Sequence, residues 1–250
     1  MKMGEVILLR TIHRRKVKEF IMTVSSEGFH SEFGVIDMNE LLEKEAGDTI
    51  ESHMGQRFVV QYPRLPDFFR HAKRTGAPII PKDIGMILAY TGINHRDTIL
   101  EAGTGTGILC MYLGSVAERV VSYEIREDFV DVARVNLQRA GVTNVDIRCG
   151  NIVEAIRHLD ETFNAVILDT LDAPAVVPYV RDVLVPGGFL ITYSPFIEQT
   201  AAIRKAIDEV GFFEVRTIEC IEREMSFSEK GSRPATTRVG HTGYITIART

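Results

Sequence analysis

The residues able to do chemistry fall in four short stretches. Glu101-Ala102-Gly103-Thr104-Gly105-Thr106-Gly107 follows the apolar run Thr98-Ile99-Leu100 and leads into Ile108-Leu109-Cys110-Met111-Tyr112-Leu113. Gly103, Gly105 and Gly107 let a turn take positive φ and bring its backbone close to a ligand. Glu101, beneath the turn, could organise it or attract an ammonium group. Glu124 closes Val121-Ser122-Tyr123-Glu124, about 20 residues past the turn, where a strand-end carboxylate accepts from both ribose hydroxyls. Asn151, after Gly150, can accept from an adenine amino group, and Phe129 and Ile152 either wall an adenine or pack in a core. Asp169 ends Ile167-Leu168-Asp169 and is followed by Thr170-Leu171-Asp172-Ala173-Pro174. A carboxylate there can take a proton from an exocyclic amine and balance a positive charge developing on nitrogen. Its plain alternative is a helix cap, for which Asp172 is the better candidate. Nothing here requires a nicotinamide, and no nucleophile triad or HExxH site is present.

These residues need a strand–turn–helix scaffold, and the sequence from Thr98 onward supplies one. Apolar strands are expected at 98–101, 119–123, 145–148, 165–168 and 189–193, with helices at 127–139, 152–159, 175–183 and 198–210 between them. Near-continuous apolar strands with crossover helices imply a parallel sheet covered on both faces. The last strands, 213–219 and 243–248, have no clear helix between them and could form an antiparallel hairpin. Residues 1–65 read as a small β-rich domain: strands at 5–10, 19–24 and 56–61, with a mixed insertion at 29–52. Tyr62-Pro63-Arg64-Leu65-Pro66 marks the boundary to a domain spanning 66–250, because each proline restrains itself and its predecessor. A short helix is expected at 67–74. Gly76-Ala77-Pro78-Ile79-Ile80-Pro81-Lys82-Asp83 is expected as a structured loop before a helix at 84–90.

Composition narrows the class. A chain of 250 residues holds one large α/β domain and a small second one. A formal net charge of −5 argues mildly against a nucleic-acid partner, yet phosphates respond to local patches rather than to the sum. Basic residues do cluster, at Arg10, Arg14, Arg15, Lys16 and Lys18 and again at Arg70, Lys73 and Arg74. Cys110, Cys149 and Cys220 lack a C-x-x-C pair, so neither a disulfide framework nor a metal site is expected. No apolar stretch approaches a membrane span or a signal sequence, and the protein is expected in the cytoplasm.

The acid-opened glycine turn and the downstream Val185-Pro186-Gly187-Gly188-Phe189-Leu190 resemble S-adenosylmethionine (SAM) methyltransferases of the Rossmann-like class I. That resemblance implies SAM lying across the C-terminal strand ends, at the switch in strand order. A more selective set follows in order: Gly76 to Asp83, the glycine turn, Tyr193-Ser194-Pro195 with Gln199, and Val239-Gly240-His241-Thr242-Gly243-Tyr244. With Gly34-Val35-Ile36-Asp37 and Tyr62-Pro63 near the N-terminus, it resembles the tRNA (adenine-58-N1)-methyltransferase family of archaeal and bacterial single-gene type, along nearly the whole chain. The family implies methyl transfer to N1 of adenosine 58 in the tRNA T-loop, with adenosine 57 left open as a second target. It also implies a homotetramer with tRNA lying across more than one subunit.

Carried over by position, the resemblance puts Ile79, Thr106, Gly107, Ile108, Glu124, Phe129, Asn151 and Asp169 in the cofactor pocket, beside Glu101, Gly103, Gly105 and Ile152. Asp169 would hold the target adenine through N6. Tyr193, Ser194, Pro195, Gln199, Thr242 and Gly243 would border the base pocket. Ile80 stands where relatives often carry an aromatic residue or histidine, so base stacking would fall to Tyr193 or Tyr112. The turn after Asp169 also departs from the family's Asp-Leu-Pro pattern. Two other enzymatic readings are a protein carboxyl (isoaspartyl-type) and a small-molecule methyltransferase. A non-catalytic RNA-binding subunit is the alternative from another class, disfavoured by the intact glycine turn and Asp169. His241 reads as structural rather than as a base.

Overall fold

The computed structural model describes residues 1–236 and 240–250. Val239 of the terminal motif lies outside the described residues. The chain divides into two compact units, Met1–Ala72 and Lys73–Thr250.

The first unit contains β1 (Val6–His13), β2 (Lys16–Thr23), β3 (Phe29–Ser31), β4 (Gly34–Ile36), α1 (Met38–Leu42), β5 (Thr49–Glu51), β6 (Arg57–Gln61) and α2 (Leu65–His71). Antiparallel pairing orders the sheet β2-β1-β6-β5, and β3–β4 forms its own hairpin. Phe20, Phe29, Phe33 and Phe58 meet edge-on with ring centroids 5.5 to 6.2 Å apart, a favoured aromatic arrangement. Ile7, Leu9, Ile36 and Leu41 complete this core. α2 begins two residues before the expected helix. Pro66 suits its first turn, and the Asp67 carboxylate accepts the Arg64 N–H at 2.7 Å, which sets the start.

The second unit runs α3 (Pro81–Thr91), β7 (Thr98–Ala102), α4 (Ile108–Gly114), β8 (Arg119–Glu124), α5 (Glu127–Arg139), β9 (Val145–Cys149) and α6 (Ile152–Ala155), the last extended by a 3-10 turn. It continues with β10 (Phe163–Leu168), α7 (Ala173–Val183), β11 (Leu184–Ser194), α8 (Ile197–Val210), β12 (Phe213–Glu219), β13 (Met225–Ser228), β14 (Gly231–Pro234) and β15 (Tyr244–Arg249). The sheet order is β12-β15-β11-β10-β7-β8-β9. The strands from β11 to β9 are parallel, and β15 inserts antiparallel between β11 and β12. The expected α/β sheet with a closing antiparallel pair is therefore the one observed. Leu100, Val121, Phe163, Val166, Val180 and Leu190 belong to the core between sheet and helices.

Two elements differ from expectation. α3 starts at Pro81, so Lys82 and Asp83 sit in a first helical turn instead of a loop. Proline at the opening position presets φ and lacks only an N–H that would be unpaired anyway. The hairpin β13–β14 was not legible, because all eight of its residues are exposed and none alternates with a buried neighbour.

Candidate active site

β7 and β8 run outward on one side of the sheet's switch point and β10 on the other, so their C-terminal ends part around a crevice. It holds about 420 Å³ and is lined by the glycine turn, Glu124, Asp169 and the segment from Thr75 to Ile79. Gly103 has φ +98°, and a Cβ on it would lie 2.0 Å from the Asp169 carbonyl oxygen. Only glycine lets the turn and the end of β10 approach so closely. The Asp169 N–H donates to Ala102 O at 2.8 Å, which holds that approach.

Glu124 is almost fully buried and braces the turn. Its Oε2 accepts from Gly105 N at 2.9 Å and its Oε1 from Arg126 N at 3.1 Å. Asp169 lines the same crevice and has no ion-pair partner among the described residues. Burial foremost, and then the negative charge of Glu124, push its pKa up to about 7. Thr75 Oγ1 is buried at the crevice without a hydrogen-bond partner among the described residues. Two carboxylates without an ion-pair partner, and a hydroxyl without a hydrogen-bond partner, among the described residues suit a ligand that is cationic and rich in hydrogen-bonding groups.

Ile79, Gly103, Gly105, Thr106, Ile108, Glu124, Phe129, Asn151, Ile152 and Asp169 all line this crevice. Glu101 and Gly107 do not. Glu101 is fully buried under the turn, where its Oε2 accepts from Ser122 Oγ and, at 3.4 Å, from Cys110 Sγ. Burial drives its pKa up to about 8, against the lowering effect of the Ser122 bond. Gly107 caps α4 in the left-handed region and packs against Ala133 of α5. Asn151 caps α6, its Oδ1 accepting from Val153 N at 2.9 Å, which leaves its amide nitrogen for the crevice. Asp172 occupies the position before α7, but its side chain makes no capping bond.

The six residues expected at the base pocket sit apart from the crevice lining, at the C-terminal end of β11, the start of α8 and the approach to β15. Asp83 is fully buried there. Its Oδ2 accepts from Thr242 Oγ1 at 2.7 Å and from the Tyr193 hydroxyl at 3.3 Å. Lys82 Nζ donates to Asp83 Oδ1 at 2.6 Å, Thr242 Oγ1 at 2.8 Å and Cys220 O at 2.6 Å. Burial foremost pushes the Tyr193 phenol above its usual range. A Cβ on Gly243 would fall 2.4 Å from the Tyr193 ring, so that glycine seats the tyrosine. Ser194 is buried with a hydroxyl unpartnered among the described residues, Pro195 is exposed and Gln199 is half-buried. Pro195 O binds His241 Nε2 at 2.8 Å, and Nδ1 lies 2.6 Å from Glu219. The Glu219 bond, then that carbonyl, raise the His241 pKa.

Other residues of the site gave no signal in the sequence. Buried Asn136 on α5 donates to Thr106 O at 2.8 Å and Lys73 O at 3.0 Å, pinning the glycine turn to the chain entering the unit. It reads as one more polar residue of an amphipathic helix. The Arg126 guanidinium lies 3.0 Å from the centre of the Phe129 ring, so that ring is packed on one face. Leu171 and Ile125 stand 77% and 64% exposed on the crevice lining, large apolar side chains left in water.

The sheet order, the glycine turn and the crevice define a class I methyltransferase, and S-adenosylmethionine is its methyl donor. A solved structure of a SAM-dependent O-methyltransferase from Thermotoga maritima shares this fold, with 28% identity and a TM-score of 0.87 over 100% of this chain and 94% of that one. The family described as tRNA methyltransferase complex GCD14 subunit matches residues 72–230. A tRNA (adenine(57)-N(1)/adenine(58)-N(1))-methyltransferase of Methanocaldococcus jannaschii is 35% identical, covering 93% of this chain and 91% of the relative. A tRNA (adenine(58)-N(1))-methyltransferase of Thermus thermophilus is 30% identical, covering 94% of each. The chain belongs to this family of tRNA methyltransferases.

Proposed function

We propose that this chain transfers a methyl group from S-adenosylmethionine to N1 of adenosine 58 in the tRNA T-loop. Family membership along nearly the whole chain carries the reading, together with Asp169, half-buried in the crevice with its pKa pushed up. When bound, SAM supplies an electrophilic methyl carbon whose bond to sulfur breaks as adenine N1 attacks. Asp169 takes a hydrogen bond from adenine N6, which fixes the ring edge and offsets the charge that N1 gains. Glu124 keeps lone pairs for the ribose hydroxyls beyond those used by Gly105 and Arg126. Asn151, Ile152 and Phe129 receive the adenine of the cofactor, Gly103, Gly105 and Thr106 its methionine portion, and Ile79 and Ile108 the apolar walls. Glu101 and Gly107 act from beneath by shaping the turn.

The target adenosine is stacked within folded tRNA and has to be extruded first. Tyr193, Ser194, Pro195, Gln199, Thr242 and Gly243 border its path. The Tyr193 ring is buried and packed against Gly243, so Leu171 and Ile125 supply the apolar surface that replaces lost stacking. Adenosine 57 is a second target on one observation: the Methanocaldococcus relative is named for both positions. Two further parts of the reading are a homotetrameric assembly and a cytoplasmic location. No helix of the described residues is long and apolar enough to cross a membrane.

The test is labelled methyl transfer to unmodified tRNA transcripts, followed by nucleoside mass spectrometry. Loss of 1-methyladenosine when uridine replaces adenosine 58 supports that site, and residual product supports adenosine 57. No RNA product from an enzyme that binds SAM would instead favour a protein or small-molecule substrate.

A further inference from the structure

The tip of the β1–β2 hairpin combines an unfavourable backbone with concentrated charge. His13 pairs with Lys16, so Arg14 and Arg15 alone make the turn. Both take positive φ, 49° and 64°, in the pattern of a type I′ turn, which asparagine and glycine adopt far more easily than arginine. A turn that a common Asn-Gly pair would stabilise instead holds two bulky cations. Backbone strain retained in this way points to use of the side chains.

The charges at the tip itself are also unpaired among the described residues. From Arg10 to Lys18 the chain carries five cations and no acid, although the net charge of the chain is −5. Arg10 is tied to Glu19 at 2.6 Å, and Lys18 to Glu32 at 2.8 Å. Among the described residues, Arg14, Arg15 and Lys16 have no acidic partner, and all three are exposed. A shallow cavity of about 570 Å³ opens beside them, with His13 and Phe33 on its wall and Gln56 at its edge. The two rings stand 5.1 Å apart. Cations around an aromatic-walled cavity, whose lining carboxylate, Glu32, is paired with Lys18, suit a ribose–phosphate backbone better than a flat acidic protein face.

We propose that this hairpin tip is an RNA-docking surface at which Arg14, Arg15 and Lys16 contact backbone phosphates of the tRNA substrate. The proposal rests on the tRNA reading for its ligand. It assigns a binding role to the first unit that the crevice chemistry does not require.

The turn itself supplies a clean test. The double variant R14N/R15G removes two charges while installing the residues that a type I′ turn favours, so its melting temperature should equal or exceed that of the parent chain. Direct binding of a tRNA transcript is measured against salt for both proteins, beside methyl-transfer kinetics. Two lost phosphate contacts should weaken binding about tenfold near 0.15 M salt and reduce the slope of log affinity against log salt by about 1.5. KM for tRNA should rise accordingly, with kcat and SAM affinity within about twofold. Unchanged tRNA affinity and salt slope would overturn the proposal. So would equal competition by poly-glutamate and by RNA of the same charge, which would assign the tip to an acidic protein. If the parent chain binds tRNA but methylates none of it, the tRNA-methylation reading fails, and the binding comparison still decides the role of the hairpin.

Discussion

Asp169 owes its chemistry to its surroundings more than to its type. Burial and the nearby Glu124 charge hold its pKa up to about 7, so near neutrality it exchanges between a proton-accepting and a protonated form. The accepting form is the one useful to an adenine N6 amine. kcat/KM for SAM, which reports the free enzyme, should therefore rise with pH through about 7 and then level; a flat profile from pH 5.5 to 8.5 would remove the carboxylate from the reaction. Asp169→Ala should bind SAM in calorimetry yet lose roughly a hundredfold or more in methyl transfer. Glu124→Ala should weaken SAM binding about ten- to hundredfold, because both the ribose contact and the brace on Gly105 go; unchanged affinity would count against its assignment. Positions on the crevice were legible where residue type met a strand end, as at Glu124 and Asp169. They were not legible where a partner distant in sequence decides the role. Tyr193 looked available for stacking until Asp83, more than a hundred residues earlier, was found holding its hydroxyl.

At the scale of elements, two joints carry the site. The turn between β7 and α4 closes against the end of β10 only because Gly103 has no side chain. Gly103→Ala should cost about 2 kcal/mol or more, from strain at positive φ and a backbone clash, and should abolish SAM binding; a thermal melt with calorimetry reads both effects. The other joint fastens the first turn of α3 to β11 and the approach to β15 through Lys82, Asp83, Thr242 and Tyr193. Since Asp83 is fully buried, Lys82→Met leaves a carboxylate without its cation and should destabilise by about 3 kcal/mol in urea unfolding, whereas a shift under about 0.5 kcal/mol would show the pair to be incidental. The strands and crossover helices were readable because apolar periodicity reports burial directly. β13–β14 escaped because it buries nothing. The start of α3 was misplaced because Pro81 looks like loop chemistry until it is seen opening a helix.

Over the whole molecule, the two acids with raised pKa values, Glu101 and Asp169, link folding to pH. Glu101 has a pKa near 8 when folded, against an ordinary value of 4.5. A raised acid contributes stability that is complete below the unfolded pKa and is lost as pH climbs through the folded one. Asp169 acts in the same direction, so the cofactor-free protein should become less stable between about pH 5 and 8. Glu101→Gln should flatten that decline; an identical slope in the variant would mean that Glu101 is not the linked group. The family relationship extends across both units, while the crevice lies wholly within the second. The most direct test of the central claim is nucleoside analysis of a tRNA transcript after incubation with labelled SAM, using the parent chain and Asp169→Ala side by side. The account predicts label on N1 of adenosine 58, with or without 57, from the parent, and a near-complete loss from a variant that still binds SAM. Label on any other atom, or equal product from both proteins, would contradict it.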